Sequence, residues 1–196
     1  MIKRFLLILV LIFTFQSWTK ADDISDFEIE GMSVGDSALD YFKEEELIST
    51  KSYHWTNKKF ASSSGWLKNQ NNYEGWQIFY KDKDKKYIIH YLSGISNIEN
   101  LETCNKKKNE VVESIKETIS NAKFIDLGKV SHPGDETGRS LSYKVIFEFK
   151  DGSNIMITCT DYTDLYINKL DNVISDNFNV AISSIEFVDF LNNDAY

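Results

Sequence analysis

Residues 143–160, YKVIFEFKDGSNIMITCT, alternate so regularly that they leave the chain few ways to fold. Tyr143, Val145, Phe147 and Phe149 fall on one side. Lys144, Glu148 and Lys150 fall on the other, with Ile146 the one apolar residue among them. Beyond the turn, Ile155, Ile157 and Cys159 share a side against Asn154, Met156 and Thr158. A period of two marks a strand with one buried face, so the stretch predicts an antiparallel hairpin. A two-residue Asp151-Gly152 loop would set Phe149 against Asn154 and mix the two faces. A three-residue loop, Lys150-Asp151-Gly152, sets Phe147 against Ile155 and Tyr143 against Cys159, with Gly152 in the left-handed position. The pattern predicts the three-residue loop.

A hairpin alone is marginal in water, so something must cover its apolar face. Residues 103–122 fit that role. Val111, Val112, Ile115, Ile119 and Ala122 recur at helical spacing, with lysines and glutamates between them. Cys104 lies seven residues before Val111, in phase with the same stripe. One cysteine therefore belongs to the core side of a helix and the other to the core side of a strand.

Residues 1–21 read as an export signal. Lys3 and Arg4 form a basic start, Phe5 to Phe15 are continuously apolar, and a polar stretch ends in Thr19-Lys20-Ala21, a cleavage signature. The run is short for a membrane span, which needs about 20 apolar residues. No cysteine follows it to carry a lipid. Cleavage after Ala21 and a periplasmic location are expected, with an uncleaved inner-membrane anchor as the alternative. An oxidising compartment and an even cysteine count predict a Cys104–Cys159 disulfide. Neither cysteine has a neighbouring histidine or second cysteine, which argues against a reactive thiol or a metal role.

The remaining residues, 22–196, suffice for one domain or for two small halves sharing a sheet. The whole sequence carries 22 basic residues against 30 acidic ones, a net charge of −8. Removing Lys3, Arg4 and Lys20 takes the net charge to −11. Nucleic acid and anionic lipid are poor partners for such a surface, and no stable membrane insertion is expected after cleavage. The lysine clusters at 81–86 and 106–108 are interleaved with acids or fall on a helix's polar side, so they read as solvated surface.

Residues 26–42 read as strand, turn and helix, with Ser33-x-x-Asp36 resembling a capping box. Residues 53–91 are crowded with aromatics, from Trp55 and Phe60 to Tyr87 and Tyr91, and Ser62-Ser63-Ser64-Gly65 reads as a flexible interruption. Strands are expected over 76–80 and 87–92, joined at the polar run 81–84. Both sides of that pair are apolar, so it is either central in a sheet or offers an aromatic surface to a ligand. A weak helix is expected over 161–171 and a last strand through Phe178, Val180 and Ile182. Ser183-x-x-Glu186 then opens a helix whose apolar side is Ile185, Val188 and Leu191.

One loop combines residue types of chemical interest. Residues 131–140, SHPGDETGRS, hold the only proline of the chain, with His132, Asp135, Arg139 and Ser140. Ser, His and Asp are the members of a nucleophilic triad, the histidine taking the serine proton. Three members within nine residues would have to fold back tightly, and Ser140 sits on no nucleophile-elbow pattern. The competing reading is a turn in which Asp135 and Thr137 cap backbone amides. Arg139, whose planar fork suits a carboxylate, is the candidate for contact with an anion, unless Asp161 or Glu148 claims it. His54, His90 and His132 show no ligand spacing, so no metal is expected. No phosphate loop, dinucleotide fingerprint or calcium loop appears, so no cofactor is expected either.

The stretches DFEIEGMSVGDSALDYF, KKYIIHYLSG, HPGDETGRS, FKDGSNIMITC and FNVAISSIEFVDFLNNDAY resemble a family of small exported proteins from marine alphaproteobacteria of the SAR11 type. The resemblance spans nearly all of 22–196. It implies export and a shared fold, and transfers no activity and no site. The expectation is an α+β protein, antiparallel sheet packed against a few helices in a single compact domain. Its expected function is non-enzymatic binding of an envelope protein or small molecule, the alternative being a hydrolase using His132, Asp135 and Ser140.

Overall fold

In the computed structural model, residues 23–67, 72–132, 134–169 and 175–195 are described. The expected signal segment and cleavage site, Pro133, Leu170 and Asp171 lie outside them. One seven-stranded, wholly antiparallel sheet forms the centre of an α+β domain. Its strands are β1 (Phe60–Trp66), β2 (Gly75–Lys81), β3 (Tyr91–Asn97), β4 (Lys123–Ser131), β5 (Leu141–Glu148), β6 (Asn154–Asp161) and β7 (Asn177–Ser183). The helices are α1 (Glu44–Ser49), α2 (Leu101–Thr118), α3 (Asp164–Lys169) and α4 (Ile185–Asn193). The spatial order is β1-β2-β3-β7-β6-β5-β4. Two three-stranded meanders are thus joined edge to edge by the last strand.

The hairpin is the one the alternation predicts. Tyr143 pairs with Cys159 and Phe147 with Ile155. The Phe149 amide donates to the Ser153 carbonyl at 2.9 Å, leaving a loop of Lys150, Asp151 and Gly152, and Gly152 has φ +92°. Val145, Phe147, Ile155, Ile157 and Cys159 are buried. Helix α2 lies over this side, with Cys104 disulfide-bonded to Cys159 and the α-carbons 5.9 Å apart. Asn100 caps it by accepting from the Thr103 amide at 2.9 Å. It ends at Thr118, short of the predicted 122, because Ile119 turns extended toward β4. Ile119 and Ala122 still pack on the core.

The N-terminal segment departs from expectation. Residues 26–42 form no strand–helix unit. Ile29 and Met32 bridge across a tight turn, Glu30 and Gly31 both having positive φ, and Ala38–Asp40 is a single 3-10 turn. Asp36 does accept from the Ser33 amide at 2.9 Å, so half of the expected box exists without its helix. Ile29, Met32, Val34 and Ala38 are buried on the α2 side of the sheet, where Phe42 stacks on Trp76 with centroids 4.1 Å apart.

The serine run also differs. Residues 62–65 belong to edge strand β1 rather than to a flexible break. Ser63 replaces apolar contact with hydrogen bonds, donating to the Leu47 carbonyl at 2.8 Å and sharing one of 2.9 Å with the Tyr80 hydroxyl. Strand β3 starts at Tyr91, later than predicted, because Tyr87 takes φ +49° and Ile88 bridges to Ser37. Strand β2 is interior and covered on both sides. Trp76, Ile78 and Tyr80 face the main core, while Phe79 joins Phe60, Phe187 and Phe190 under α4 on the other side. The aromatic segment is therefore mostly core, with Tyr53 at 38% and Trp66 at 73% exposure outside it. The α4 cap is Ser184 rather than Ser183, and its buried residues are Phe187 and Phe190 rather than Ile185 and Val188. Ser183 remains the last residue of β7, which shifts the helical phase by one.

Candidate functional site

Loop 131–140 folds around Asp135. The carboxylate accepts from the Ser140 hydroxyl at 2.6 Å and amide at 2.9 Å, and from the Thr137 hydroxyl at 2.7 Å and amide at 2.9 Å. The bonds from Ser140, then those from Thr137, hold its pKa well below the usual carboxylate range. The His132 amide closes the loop by donating to the Ser140 carbonyl at 2.8 Å. Turn chemistry thus organises the loop.

The structure brings His132, Asp135 and Ser140 into one loop but not into triad order. The Ser140 hydroxyl is buried and donates to Asp135, while His132 Nδ1 accepts from the Gly134 amide at 3.2 Å. Among the described residues no hydrogen bond links the His132 ring to Ser140. The ring instead meets Tyr162 edge-on at 5.0 Å and Tyr166 at 5.7 Å. Arg139 is exposed, and among the described residues its guanidinium forms no ion pair, neither with Asp161 nor with Glu148. A cleft of about 430 Å³ separates the loop from α3, and the Lys169–Glu136 ion pair at 3.7 Å lies along it.

His132 and Tyr162 also border the side of the sheet turned away from α2. Register aligns Lys144 with Thr158, Thr158 with Asn179, and Asn179 with Ile95. One step along the strands, Ser93 lies against Ala181 and Ala181 against Met156. Helix α4 packs on one end of this face, where Phe187 meets Tyr91 at 5.2 Å. At the opposite end Tyr162, stacked on Tyr166, points its hydroxyl toward Asn177 and Thr160.

Between those ends the polar groups are poorly matched. Ser93 has no exposure and its side chain sits beside the Tyr91 hydroxyl, whose pKa burial raises and hydrogen bonding to Ser93 lowers. Asn179 Oδ1 is buried and has no hydrogen-bond partner among the described residues. Lys144 is half-buried and forms no ion pair among the described residues. Burial pushes its pKa down, and the pKa of His132 is lowered by burial first and by the Lys144 charge second. Chemically this is an interior polar patch rather than an open surface, since Ser93 Oγ and Asn179 Oδ1 have no solvent access. Sequence reading assigned Lys144 and Thr158 to the polar side of the hairpin. It had no means of seeing that β7 would carry Asn179 in beside them, because β7 is the last strand in sequence and a central one in space.

Among the described residues, no group of His, Cys, Asp and Glu is arranged to hold a metal ion, and no helix is long and apolar enough to cross a membrane. No protein-family model matches the chain, and no match was found among curated proteins or solved structures.

Proposed function

We propose that the protein is a non-enzymatic periplasmic binding protein, exported by residues 1–21, that holds a small molecule in the cleft between loop 131–140 and α3. The observation that supports this most is the open cleft of about 430 Å³ between loop 131–140 and α3, where Glu136, Thr137, Tyr166 and Lys169 surround Leu165, a leucine left 61% exposed. Ligand sites are concave and mix apolar lining with a few polar groups. The hydrolase reading has less behind it, since the Ser140 hydroxyl is buried and bound to Asp135.

Native mass spectrometry of protein released gently from the cell envelope tests the reading. Chains beginning at Asp22 should carry a small-molecule adduct, and Leu165→Asp, at an exposed position lining the cleft, should reduce its occupancy. Adduct-free protein that also shows no thermal shift across a metabolite library would overturn the binding assignment. Recovery of full-length chains only in inner membranes would overturn the export assignment.

A further inference from the structure

The two walls of the cleft between loop 131–140 and α3 carry opposite charges. On the loop side, Asp135 already accepts from Ser140 and Thr137 with both oxygens, which leaves Glu136 as the carboxylate to meet a guest. On the helix side stands Lys169, with Asn168 beside it. Glu136 and Lys169 are 3.7 Å apart, wider than the roughly 2.7–2.9 Å of a charge-assisted hydrogen bond. Their side chains are 88% and 60% exposed, and so loose a surface pair contributes little to the fold. Exchanging it for two shorter contacts with a guest therefore costs little. A guest of one sign gains from one wall and is repelled by the other, whereas one with an ammonium group and a carboxylate matches both. The lining also includes an apolar patch. Leu165 is 61% exposed, and Tyr166 is fixed by stacking on Tyr162 and by the packing of its hydroxyl against Gly134. Covering that leucine removes apolar surface from water, which favours a guest with an apolar side chain.

Resting on the small-molecule reading above, we propose that this cleft binds an apolar α-amino acid as its zwitterion. The ammonium group donates to Glu136. The carboxylate accepts from Lys169 and from the side-chain amide of Asn168, and the apolar side chain lies on Leu165 and Tyr166. The preference for a zwitterion over a simple acid resides in Glu136, and the preference over a simple amine in Lys169.

Calorimetric titration of the intact mature protein with L-leucine, isocaproate and isoamylamine tests this. Isocaproate is leucine without its ammonium group, and isoamylamine is leucine without its carboxylate. Leucine should bind at least about fivefold more tightly than either, since one charged contact separates it from each. Glycine, with no side chain to cover Leu165, should bind more weakly than leucine. Glu136→Gln should remove the advantage of leucine over isocaproate and keep its advantage over isoamylamine, and Lys169→Met should do the reverse. Both substitutions fall on exposed side chains, and the comparison of compounds on the unaltered protein does not depend on them. Equal affinities for the three compounds, or variants that weaken all three alike, would overturn the ligand class. An adduct in the native mass spectrum that Leu165→Asp removes, without any leucine response, would overturn the ligand class alone and leave the binding assignment standing. Absence of both the adduct and the leucine response would remove the two together.

Discussion

Cys104 on α2 and Cys159 on β6 stand with α-carbons 5.9 Å apart, and their bond closes 55 residues of chain. It fastens the long helix to the interior of the sheet, since Cys159 pairs with Tyr143 on one side and Phe178 on the other. Reduction, or Cys159→Ser, should lower the unfolding free energy by about 2–5 kcal/mol in a denaturant titration. Thiol titration of unfolded, unreduced protein should find no free sulfhydryl. Two free thiols per chain would contradict the bond.

The two sides of β5 should respond differently to truncation. Phe147 is 2% exposed and its ring lies 5.2 Å from that of Phe124, whereas Glu148 next to it is exposed. Phe147→Ala should cost about 3–5 kcal/mol through lost burial and the cavity left behind. Glu148→Ala should stay within about 0.5 kcal/mol. Comparable losses at the two positions would mean that the core lies elsewhere.

That contrast was legible in the sequence because period-two alternation reports burial locally, one residue against the next. The loop length of the hairpin, the disulfide and the helix above it followed from the same alternation. What the pattern could not carry was anything set by distant neighbours. Ser62 to Gly65 look like a linker, yet β2 on one side and the Ser52 bridge on the other make them a strand. Ser33 and Asp36 look like a helix start, yet the chain takes a tight turn there and buries Ile29 and Met32 instead. The triad types in loop 131–140 were visible, but their connectivity was not. Asp135 captures Ser140, and His132 turns to the tyrosines of a segment some thirty residues further along. Asn179 and Ser93 come to share one face of the sheet only because β7 inserts between β3 and β6.

Acid should destabilise the fold in two separable windows. His54 is pushed below its usual pKa by burial against Trp55 and Phe79. His90 is also lowered, by burial first, with Glu186 opposing. A histidine whose folded pKa lies below its unfolded one contributes stability that is fully present above about 6.5 and lost as pH falls from there. Asp135 and Asp82, held low by hydrogen bonds, contribute stability that is present above about 3.8 and lost below it. The melting temperature should fall first between about pH 6.5 and 5 and again below about 4. His54→Gln should flatten the first step only, and an unchanged first step would exclude His54 as its source.

Within loop 131–140, Asp135 and not Arg139 should matter to stability. Asp135→Ala strips four hydrogen bonds from Ser140 and Thr137 and leaves the buried Ser140 amide without its acceptor. It should lower the melting temperature and raise amide exchange at Thr137 and Ser140. Arg139→Ala should leave both unchanged, because the exposed guanidinium holds no ion pair among the described residues. Equal effects from the two variants would show that the loop is not organised by Asp135.

The hairpin turn itself can be tested at Gly152. Its φ of +92° suits glycine and strains any L side chain, at about 1–3 kcal/mol. An added Cβ would also sit 2.6 Å from Ile185 Cδ1, the tip of a flexible side chain at the start of α4. Two contributions are therefore expected in Gly152→Ala, backbone strain and the push on Ile185. Combining it with Ile185→Ala removes the second and leaves the first. Relative to Ile185→Ala alone, the added alanine should still cost roughly 1–2 kcal/mol. A loss that vanishes in the Ile185→Ala background would mean that the turn carries no left-handed residue at 152, and the three-residue loop would have to be redrawn.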